Sequence, residues 1–279
     1  MRKLGIIAGG GGLPAEIAAR CRASGRPYFV IRLKGFADEG TLGHPSAEIG
    51  IAELGKCIKA LREERCEAVC FAGLVARPDF AKLKPDLRGL AALPGVIAAA
   101  RQGDDALLRR LLEEFRKEGF DIEGAHEAAG SMTLPLGLLG RHGPAPQHRE
   151  DIDRALTVAR ASGRLDVGQG AVVCNGLVLA VEAQEGTDLM LRRVRDLPQA
   201  IRGRPEALRG VLAKVPKPIQ EVRVDLPTIG VATVRGAAQA GLAGIVGEVG
   251  RLLIVDREET VAMADDLGLF ILGVEPKPE

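Results

Sequence analysis

The chain has 279 residues, a length that fits one large domain or two of ordinary size. Hydrophobic residues make up 46% of it and charged residues 27%, which favours a packed core over disorder. The formal net charge is +1, with no tryptophan and a single tyrosine, so neither a basic nucleic-acid stripe nor a base-stacking platform is expected. We therefore predict no nucleic-acid partner.

The cysteines and the N-terminus bear on the cellular compartment. The five cysteines include no C-x-x-C pair and lie mostly in apolar periodic segments, which is typical of buried free thiols in a reducing cytoplasm. The first apolar stretch is short and interrupted by glycine, unlike a signal peptide. No run approaches the roughly 18 apolar residues of a membrane-spanning helix. We expect a cytoplasmic protein and leave open a peripheral contact with a membrane.

Strands and helices are predicted to alternate in the first half of the chain. Apolar runs bounded by glycine predict strands at 4–8, 28–33 and 68–72 and a short last strand at 120–125. Periodic apolar positions predict helices at 14–23, 54–64, 90–100 and 104–117. This alternation is typical of an α/β fold, and it predicts an N-terminal Rossmann-like domain with a parallel sheet.

The pattern changes in the segment "PLGLLGRHGPAP", residues 135–146, where six of twelve residues are Gly or Pro. This composition predicts an inter-domain linker. We expect a Rossmann-like domain at 1–132, a linker at 133–147 and a C-terminal domain at 148–279. The last of these has predicted helices at 150–162, 188–196 and 257–267, strands at 211–215, 228–234, 252–255 and 269–274, and a hairpin at 171–181 around Asn175-Gly176. We predict a C-terminal α+β (mixed α/β) fold.

Four consecutive glycines, residues 9–12, lie between the first strand and the first helix. A strand, a glycine turn and a helix N-terminus together present backbone N–H groups and a helix dipole to an anion. The spacing Gly10-x-Gly12-x-x-Ala15 fits the dinucleotide fingerprint, but the acidic residue expected at the end of the second strand is missing. The alternative is a tightly packed turn that binds nothing.

A second candidate segment is "FAGLVARPDF", residues 71–80, at the carboxyl end of the third predicted strand. In parallel sheets, ligands bind outside these strand ends. Gly73 would allow close approach of a ligand, and Arg77 would pair with a phosphate. The alternative is a turn with a charge on the surface.

The segment "VEAQEGTD", residues 181–188, holds three carboxylates at a predicted strand-to-helix junction. Carboxylate oxygens suit a hard divalent cation. The alternative is that Thr187 or Asp188 caps the helix that follows.

Two lysines and an aspartate follow in "AKVPKPIQE" and "RVDLPTIG", residues 213–221 and 223–230. Prolines beside Lys214 and Lys217 predict an edge strand or an extended loop. The lysines would suit a phosphorylated ligand or, equally, form a solvated basic edge. Asp225 is a turn residue, a metal ligand or a base, and the spacing alone leaves these alternatives open.

Several of these segments, in this order, resemble one family. The segments are "LGIIAGGGGLP", "CFAGLVARPDF", "GDDALLRRLLEEFRKEGF", "DVGQGAVV", "VEAQEGTD", "KPIQEVRVDLPTIG" and "GLAGIVGE". Together they resemble the UDP-2,3-diacylglucosamine pyrophosphatases of lipid A biosynthesis. The form in question is that of α-proteobacteria and other Gram-negative bacteria that lack the calcineurin-type enzyme. The resemblance extends from about residue 2 to residue 274.

The resemblance implies that the chain hydrolyses the pyrophosphate of UDP-2,3-diacylglucosamine to UMP and 2,3-diacylglucosamine 1-phosphate. It also implies a requirement for Mg²⁺, attack by water at the sugar-side phosphorus, two domains that close over the lipid, and a homodimer. The essential aspartate of the family's "DLPTIG" motif corresponds to Asp225.

From the resemblance and the residue chemistry we predict a set of site residues. As catalytic groups we predict Asp225, Lys214 and Lys217. As Mg²⁺ ligands we predict Asp225, Glu185 and Asp188, the last two chosen for their hard oxygens rather than from the resemblance. As substrate-binding residues we predict Gly10, Gly11, Gly12, Leu13, Gly73, Val75, Arg77, Gln169, Gly170, Gly186 and Thr187.

Two other functions remain as alternatives at this point. One is a nicotinamide-dependent oxidoreductase that uses the glycine turn, against which the missing ribose-binding acid counts. The other is a sensor that binds a nucleotide or lipid without turnover.

Overall fold

The chain divides into two units, Met1–Ser131 and Met132–Glu279, and each is described by itself. The structure is a computed structural model that describes residues 1–76, 78–129, 132–217 and 226–276. Arg77 and Asp225 therefore lie outside the described residues.

The first unit is built on one parallel sheet. Its strands are β1 (Leu4–Ala8), β2 (Tyr28–Leu33), β3 (Ser46–Ile49), β4 (Ala68–Ala72) and β5 (Asp121–Ile122). Its helices are α1 (Leu13–Ala23), α2 (Leu54–Glu63), α3 (Leu87–Ala100), α4 (Asp104–Lys117) and α5 (Ala125–Ala129). The strand order is β3-β2-β1-β4-β5, with each neighbouring pair parallel, which confirms the predicted Rossmann-like arrangement.

Strand β1 shows why the apolar runs could be recognised as strands. All five of its residues are buried, because it lies between β2 and β4 and the sheet is covered on its faces. The strand order reverses between β1 and β4, and the carboxyl ends of these two strands form the place where doubly wound sheets bind ligands.

The second unit contains a mixed sheet of six strands. The described strands of this unit, in that sheet and in a separate pair, are β6 (Gly137–Leu139), β7 (Gly170–Cys174), β8 (Leu177–Val181), β9 (Val211–Lys214), β10 (Thr228–Ile229), β11 (Gly244–Glu248), β12 (Leu253–Ile254) and β13 (Phe270–Val274). Its helices are α6 (Arg149–Arg164), α7 (Gly186–Arg195), α8 (Val231–Gln239) and α9 (Arg257–Leu267). The large sheet has the order β6-β13-β11-β9-β7-β8, and β10 and β12 pair separately.

The strands at the centre of this sheet are parallel and those at its ends are antiparallel. Strand β11 pairs in parallel with β9 and β13, while β6, β7 and β8 join in antiparallel register. The two faces carry separate apolar cores. Leu212 of β9 belongs to the core that includes residues of α7, α8 and α9, whereas Val211 and Ala213 belong to the core that includes α6. The predicted mixed α/β domain is thus confirmed.

One predicted strand of the second unit differs from the observed structure. Residues 228–234 were expected to form one strand, but only Thr228–Ile229 is extended and α8 begins at Val231. The β-branched residues favour a strand locally, yet Thr233, Val234, Ala237 and Ala238 recur at helical spacing and are all buried. The packing of that face outweighs the local preference.

The predicted linker also differs from what the structure shows, because residues 133–147 belong to the second unit. Within them, β6 pairs with β13, Leu139 opposite Ile271 and Gly137 opposite Gly273. Gly273 leaves space for this segment, since a Cβ there would lie 1.8 Å from the carbonyl oxygen of Pro135. The high content of Gly and Pro in this segment reflects close packing at a sheet edge, and not a linker.

All five cysteines are free and buried, as predicted. Burial is the main cause that raises their pKa values, to about 12 for Cys57 and about 11 for Cys66. Buried thiols of this kind are poor nucleophiles at neutral pH. Among the described helices, none combines the length and the apolar character needed to cross a bilayer.

Candidate active site

The glycine turn of the first unit packs closely against the segment that follows β4. The N–H of Gly9 donates to the carbonyl of Ala72 at 2.8 Å, and Gly10 and Leu74 exchange two hydrogen bonds of 2.8 Å. Gly73 has φ +88°, and a Cβ there would lie 2.5 Å from the carbonyl oxygen of Gly10. Both predicted segments thus meet at the carboxyl ends of β1 and β4, and packing alone requires some of their glycines.

The N–H of Gly11 does not face an empty anion site. It donates to Oδ2 of Asp38 at 2.5 Å, so a carboxylate already occupies the position where a phosphate oxygen would bind. Gly12 stands at the N-cap of α1 and Leu13 is the first residue of that helix. The turn in this conformation is therefore a weaker phosphate cradle than the sequence predicts.

Apolar side chains border the turn. Leu74 is 81% exposed and Val75 is 40% exposed. Large exposed apolar side chains suit an apolar part of a ligand better than a phosphate. Arg77, predicted to pair with a phosphate, lies outside the described residues.

The second unit brings a buried lysine, a hydroxyl and a carboxylate together, a group that we call the Lys214 cluster (Glu182, Thr187 and Lys214). The side chain of Lys214 donates from Nζ to Oγ1 of Thr187 at 2.6 Å and to the carbonyl of Thr228 at 3.1 Å. The hydroxyl of Thr187 in turn donates to Oε1 of Glu182 at 2.9 Å. Lys214 is only 4% exposed and Glu182 only 6%. The predicted Lys214 and Thr187 are thus adjacent, and Glu182 joins them.

Strand ends explain why these residues meet. Glu182 follows the last residue of β8, Lys214 is the last residue of β9, and Thr187 lies in the first turn of α7. Lys214 pairs with Gly170 across the sheet, and Gly170 accepts from the N–H of Glu182 at 2.9 Å. Gly186, with φ +75°, allows the turn from β8 into α7.

The glycines of "DVGQG" support Glu182 by close packing. A Cβ at Gly168 would lie 1.9 Å from the carbonyl oxygen of Glu182, and a Cβ at Gly170 would lie 2.4 Å from its Oε2. Gln169 accepts a backbone hydrogen bond of 2.9 Å from Val215, while its buried Oε1 has no hydrogen-bond partner among the described residues. The predicted role of Gly170 in substrate binding therefore has a packing explanation beside it.

Lys214 was predicted to lie on an edge strand or in a loop, and this prediction was wrong. Strand β9 lies between β7 and β11, in the interior of the sheet. Pro216 lies two residues beyond the last residue of the strand, after the pairing has ended, rather than at a sheet edge. Lys217, just beyond, donates from Nζ to Oδ1 of Asp166 at 2.8 Å.

Of the three predicted metal ligands, Glu185 and Asp188 lie within the described residues. Burial opposes ionisation of Glu185, but backbone N–H groups and the Arg193 guanidinium outweigh it and lower the pKa of this carboxyl, which pairs with Arg193. Asp188 is exposed on α7. No group of three His, Cys, Asp or Glu side chains suited to a metal occurs in the described parts of the chain, and Asp225 lies outside them.

One carboxylate oxygen in the Lys214 cluster is unused. Oε2 of Glu182 is buried and has no hydrogen-bond partner within the described residues. In the sequence, Glu182 is recognisable only as one of three carboxylates in the segment 181–188. The sequence does not show that this side chain is buried close to a lysine. The glycines at 168 and 170, spaced to accept a close side chain, were the available signal.

Comparison with protein-family models identifies the family of the chain. Residues 3–132 match the LpxI N-terminal domain and residues 135–272 match the LpxI C-terminal domain. The chain belongs to the LpxI family. The UDP-2,3-diacylglucosamine pyrophosphatase LpxI of Caulobacter vibrioides is 69% identical over 277 residues, which cover 99% of this chain and 99% of that protein. The LpxI-family domains thus account for the chain on both sides of residues 133–134.

One solved structure shows a distant similarity. A UDP-glucose 4-epimerase of Thermus thermophilus in complex with NAD is similar over 99% of this chain and 87% of that chain. Its sequence identity is 15% and its TM-score 0.32. A similarity this low carries no argument about fold or ligand.

Proposed function

We propose that this chain is a hydrolase of lipid A biosynthesis that cleaves the pyrophosphate of UDP-2,3-diacylglucosamine into UMP and 2,3-diacylglucosamine 1-phosphate. The observation that carries the proposal is the 69% identity, over 99% of both chains, to a relative named for this activity. The Lys214 cluster supports it, because a buried ammonium suits a substrate that carries two linked phosphates.

In the proposed reaction, water attacks the phosphorus nearer the sugar and UMP leaves. Negative charge grows on the transferring phosphoryl group and on the departing UMP. A preorganised ammonium such as that of Lys214 stabilises this charge without reorganisation at the moment of reaction. Lys217, which Asp166 holds at 2.8 Å, would act on the same charge, and Asp225 is the proposed essential carboxylate.

We further propose that the reaction requires Mg²⁺, as in the form of the family that lacks the calcineurin-type fold. The described carboxylates do not form a magnesium site by themselves, so this part rests on the family resemblance and on Asp225. Titration with EDTA should abolish the release of UMP, and Mg²⁺ should restore it. Activity that persists in excess EDTA would contradict the requirement.

The remaining proposals concern the state of the protein in the cell. We propose a cytoplasmic homodimer that makes peripheral contact with the inner membrane, where its diacylated substrate resides. Light scattering after size-exclusion chromatography should report a mass near twice 29.4 kDa. Flotation with phospholipid vesicles tests the membrane contact separately.

The reaction is best tested in ¹⁸O-labelled water with UDP-2,3-diacylglucosamine as substrate. We expect UMP without label and 2,3-diacylglucosamine 1-phosphate with one ¹⁸O. Label in UMP would place the attack on the other phosphorus. Absence of both products, with substrate still bound, would instead favour a sensor. For the alternative of a nicotinamide-dependent oxidoreductase, a fluorescence titration with NADH should show no binding.

A further inference from the structure

We propose that Glu182 is a positioning residue that orients Lys214 through the hydroxyl of Thr187. This inference rests on the proposed function and deepens it, because it names a residue on which the catalytic ammonium depends.

The direction of the hydrogen bonds follows from the chemistry of the groups. An ammonium donates only, so in the 2.6 Å contact Lys214 must donate and Thr187 must accept. The single hydroxyl hydrogen of Thr187 is then free to donate, and Oε1 of Glu182, at 2.9 Å, accepts it. A carboxylate cannot donate while ionised, so the chain runs from Lys214 through Thr187 to Glu182 in one direction only.

The burial of Lys214 and Glu182 gives an electrostatic reason for their pairing. Lysine and glutamate are almost never fully buried unless they are paired, yet Lys214 is 4% exposed and Glu182 is 6% exposed. The other described bond of Lys214 goes to the neutral carbonyl of Thr228. The carboxylate at the end of the hydrogen-bond chain therefore balances the buried ammonium and holds its position at the end of β9.

Glu182 itself is held rigidly. Its N–H donates to the carbonyl of Gly170 at 2.9 Å, and any side chain at Gly168 or Gly170 would collide with it. Its Oε2 is buried without a partner among the described residues, an arrangement that normally costs stability. A buried polar atom of this kind requires an explanation, and a role in catalysis is one such explanation.

The test compares Glu182→Gln, Thr187→Val and Thr187→Ser with the full-length wild-type protein, and uses Glu258→Gln, an exposed residue of α9, as the matched control. We expect kcat to fall about 10- to 100-fold in T187V, which removes the hydroxyl, and in E182Q, which replaces the charged acceptor by a neutral amide oxygen; this is the size of one charge-assisted hydrogen bond. KM should change much less, because the ammonium is still present but poorly oriented. T187S should recover most of kcat, since serine restores the hydroxyl, and E258Q should match wild type.

Three results would overturn the inference. The first is wild-type kcat in folded E182Q or T187V. The second is a loss confined to KM, which would make Glu182 a binding group. The third is a raised Mg²⁺ concentration for half-maximal activity in E182Q, which would make Glu182 a metal ligand. If E182Q does not fold, T187V decides. Inactivity of the wild type itself would count against the proposed function and not against this chain of hydrogen bonds.

Discussion

Replacing Lys214 by methionine tests whether its ammonium is needed for catalysis. Methionine keeps the length and apolar character of the stem but removes the donor to Thr187 and to the carbonyl of Thr228. If the ammonium stabilises the transferring phosphoryl group, kcat should fall about 100- to 1,000-fold, the usual effect of removing one preorganised charge stabiliser. The assay is the release of UMP at saturating UDP-2,3-diacylglucosamine.

The same variant should also destabilise the second unit. Once the ammonium is removed, Glu182 becomes a buried carboxylate without its balancing cation, a change that costs about 3–5 kcal/mol in the free energy of unfolding. The double variant K214M/E182Q should recover part of this loss, since a neutral amide replaces the carboxylate. Urea unfolding followed by circular dichroism measures both variants.

Lys59→Met is the matched control, because Lys59 is 76% exposed on α2 of the other unit. It should leave both kcat and stability within the experimental scatter. A folded K214M with wild-type kcat would refute the catalytic role of this lysine. Destabilisations that simply add in the double variant would refute the electrostatic pairing of Lys214 with Glu182.

Three further predictions concern residues in both units. Asp225→Ala should fold normally and release no UMP, because the family resemblance makes this carboxylate essential, and UMP release with circular dichroism checks both points. Asp151→Asn should lower the free energy of unfolding by about 1–3 kcal/mol, since Asp151 accepts from two backbone N–H groups of the β7–β8 turn and an amide has one acceptor oxygen; urea unfolding measures it. Gly73→Ala should destabilise the first unit by more than about 1 kcal/mol, because Gly73 has φ +88° and a Cβ would reach the carbonyl of Gly10; hydrogen exchange at β1 and β4 measures it, and unchanged exchange would contradict the packing argument.

The elements that were predicted well are those whose local and tertiary signals agree. Strand β1 is an apolar run ended by glycine, and the structure buries all of it. The hairpin around Asn175-Gly176 is also correct, because both residues have positive φ, as that turn requires. In each case the local pattern and the burial demand the same conformation.

The elements that were missed are those in which packing sets the residue type. The central strand β11 contains glycines that break the apolar pattern. Gly244 is needed because a Cβ there would lie 2.4 Å from the ring of Phe270, and at Gly247 it would lie 2.4 Å from Leu252. From the sequence alone, the two glycines make this segment look like a weak strand. In the structure, the neighbouring side chains leave no room for a Cβ at either glycine.

The candidate site was predicted in part for a similar reason. Thr187 was predicted from its place at a strand-to-helix junction. Lys214 was predicted as a lysine near that carboxylate-rich segment, and the structure places its Nζ 2.6 Å from Oγ1 of Thr187. The predicted metal ligands Glu185 and Asp188 were selected for their chemistry alone. Sequence does not show that Arg193 pairs with Glu185 or that Asp188 is exposed on the helix surface.

The buried thiols of each unit can report when that unit unfolds. Cys21, Cys57, Cys66 and Cys70 belong to the first unit, and Cys174 belongs to the second. Because none of them reacts readily while buried, an alkylating reagent would mark a cysteine only after the surrounding strands or helices separate. The position of the adduct along the chain then tells which half of the molecule opened first, without any engineered probe.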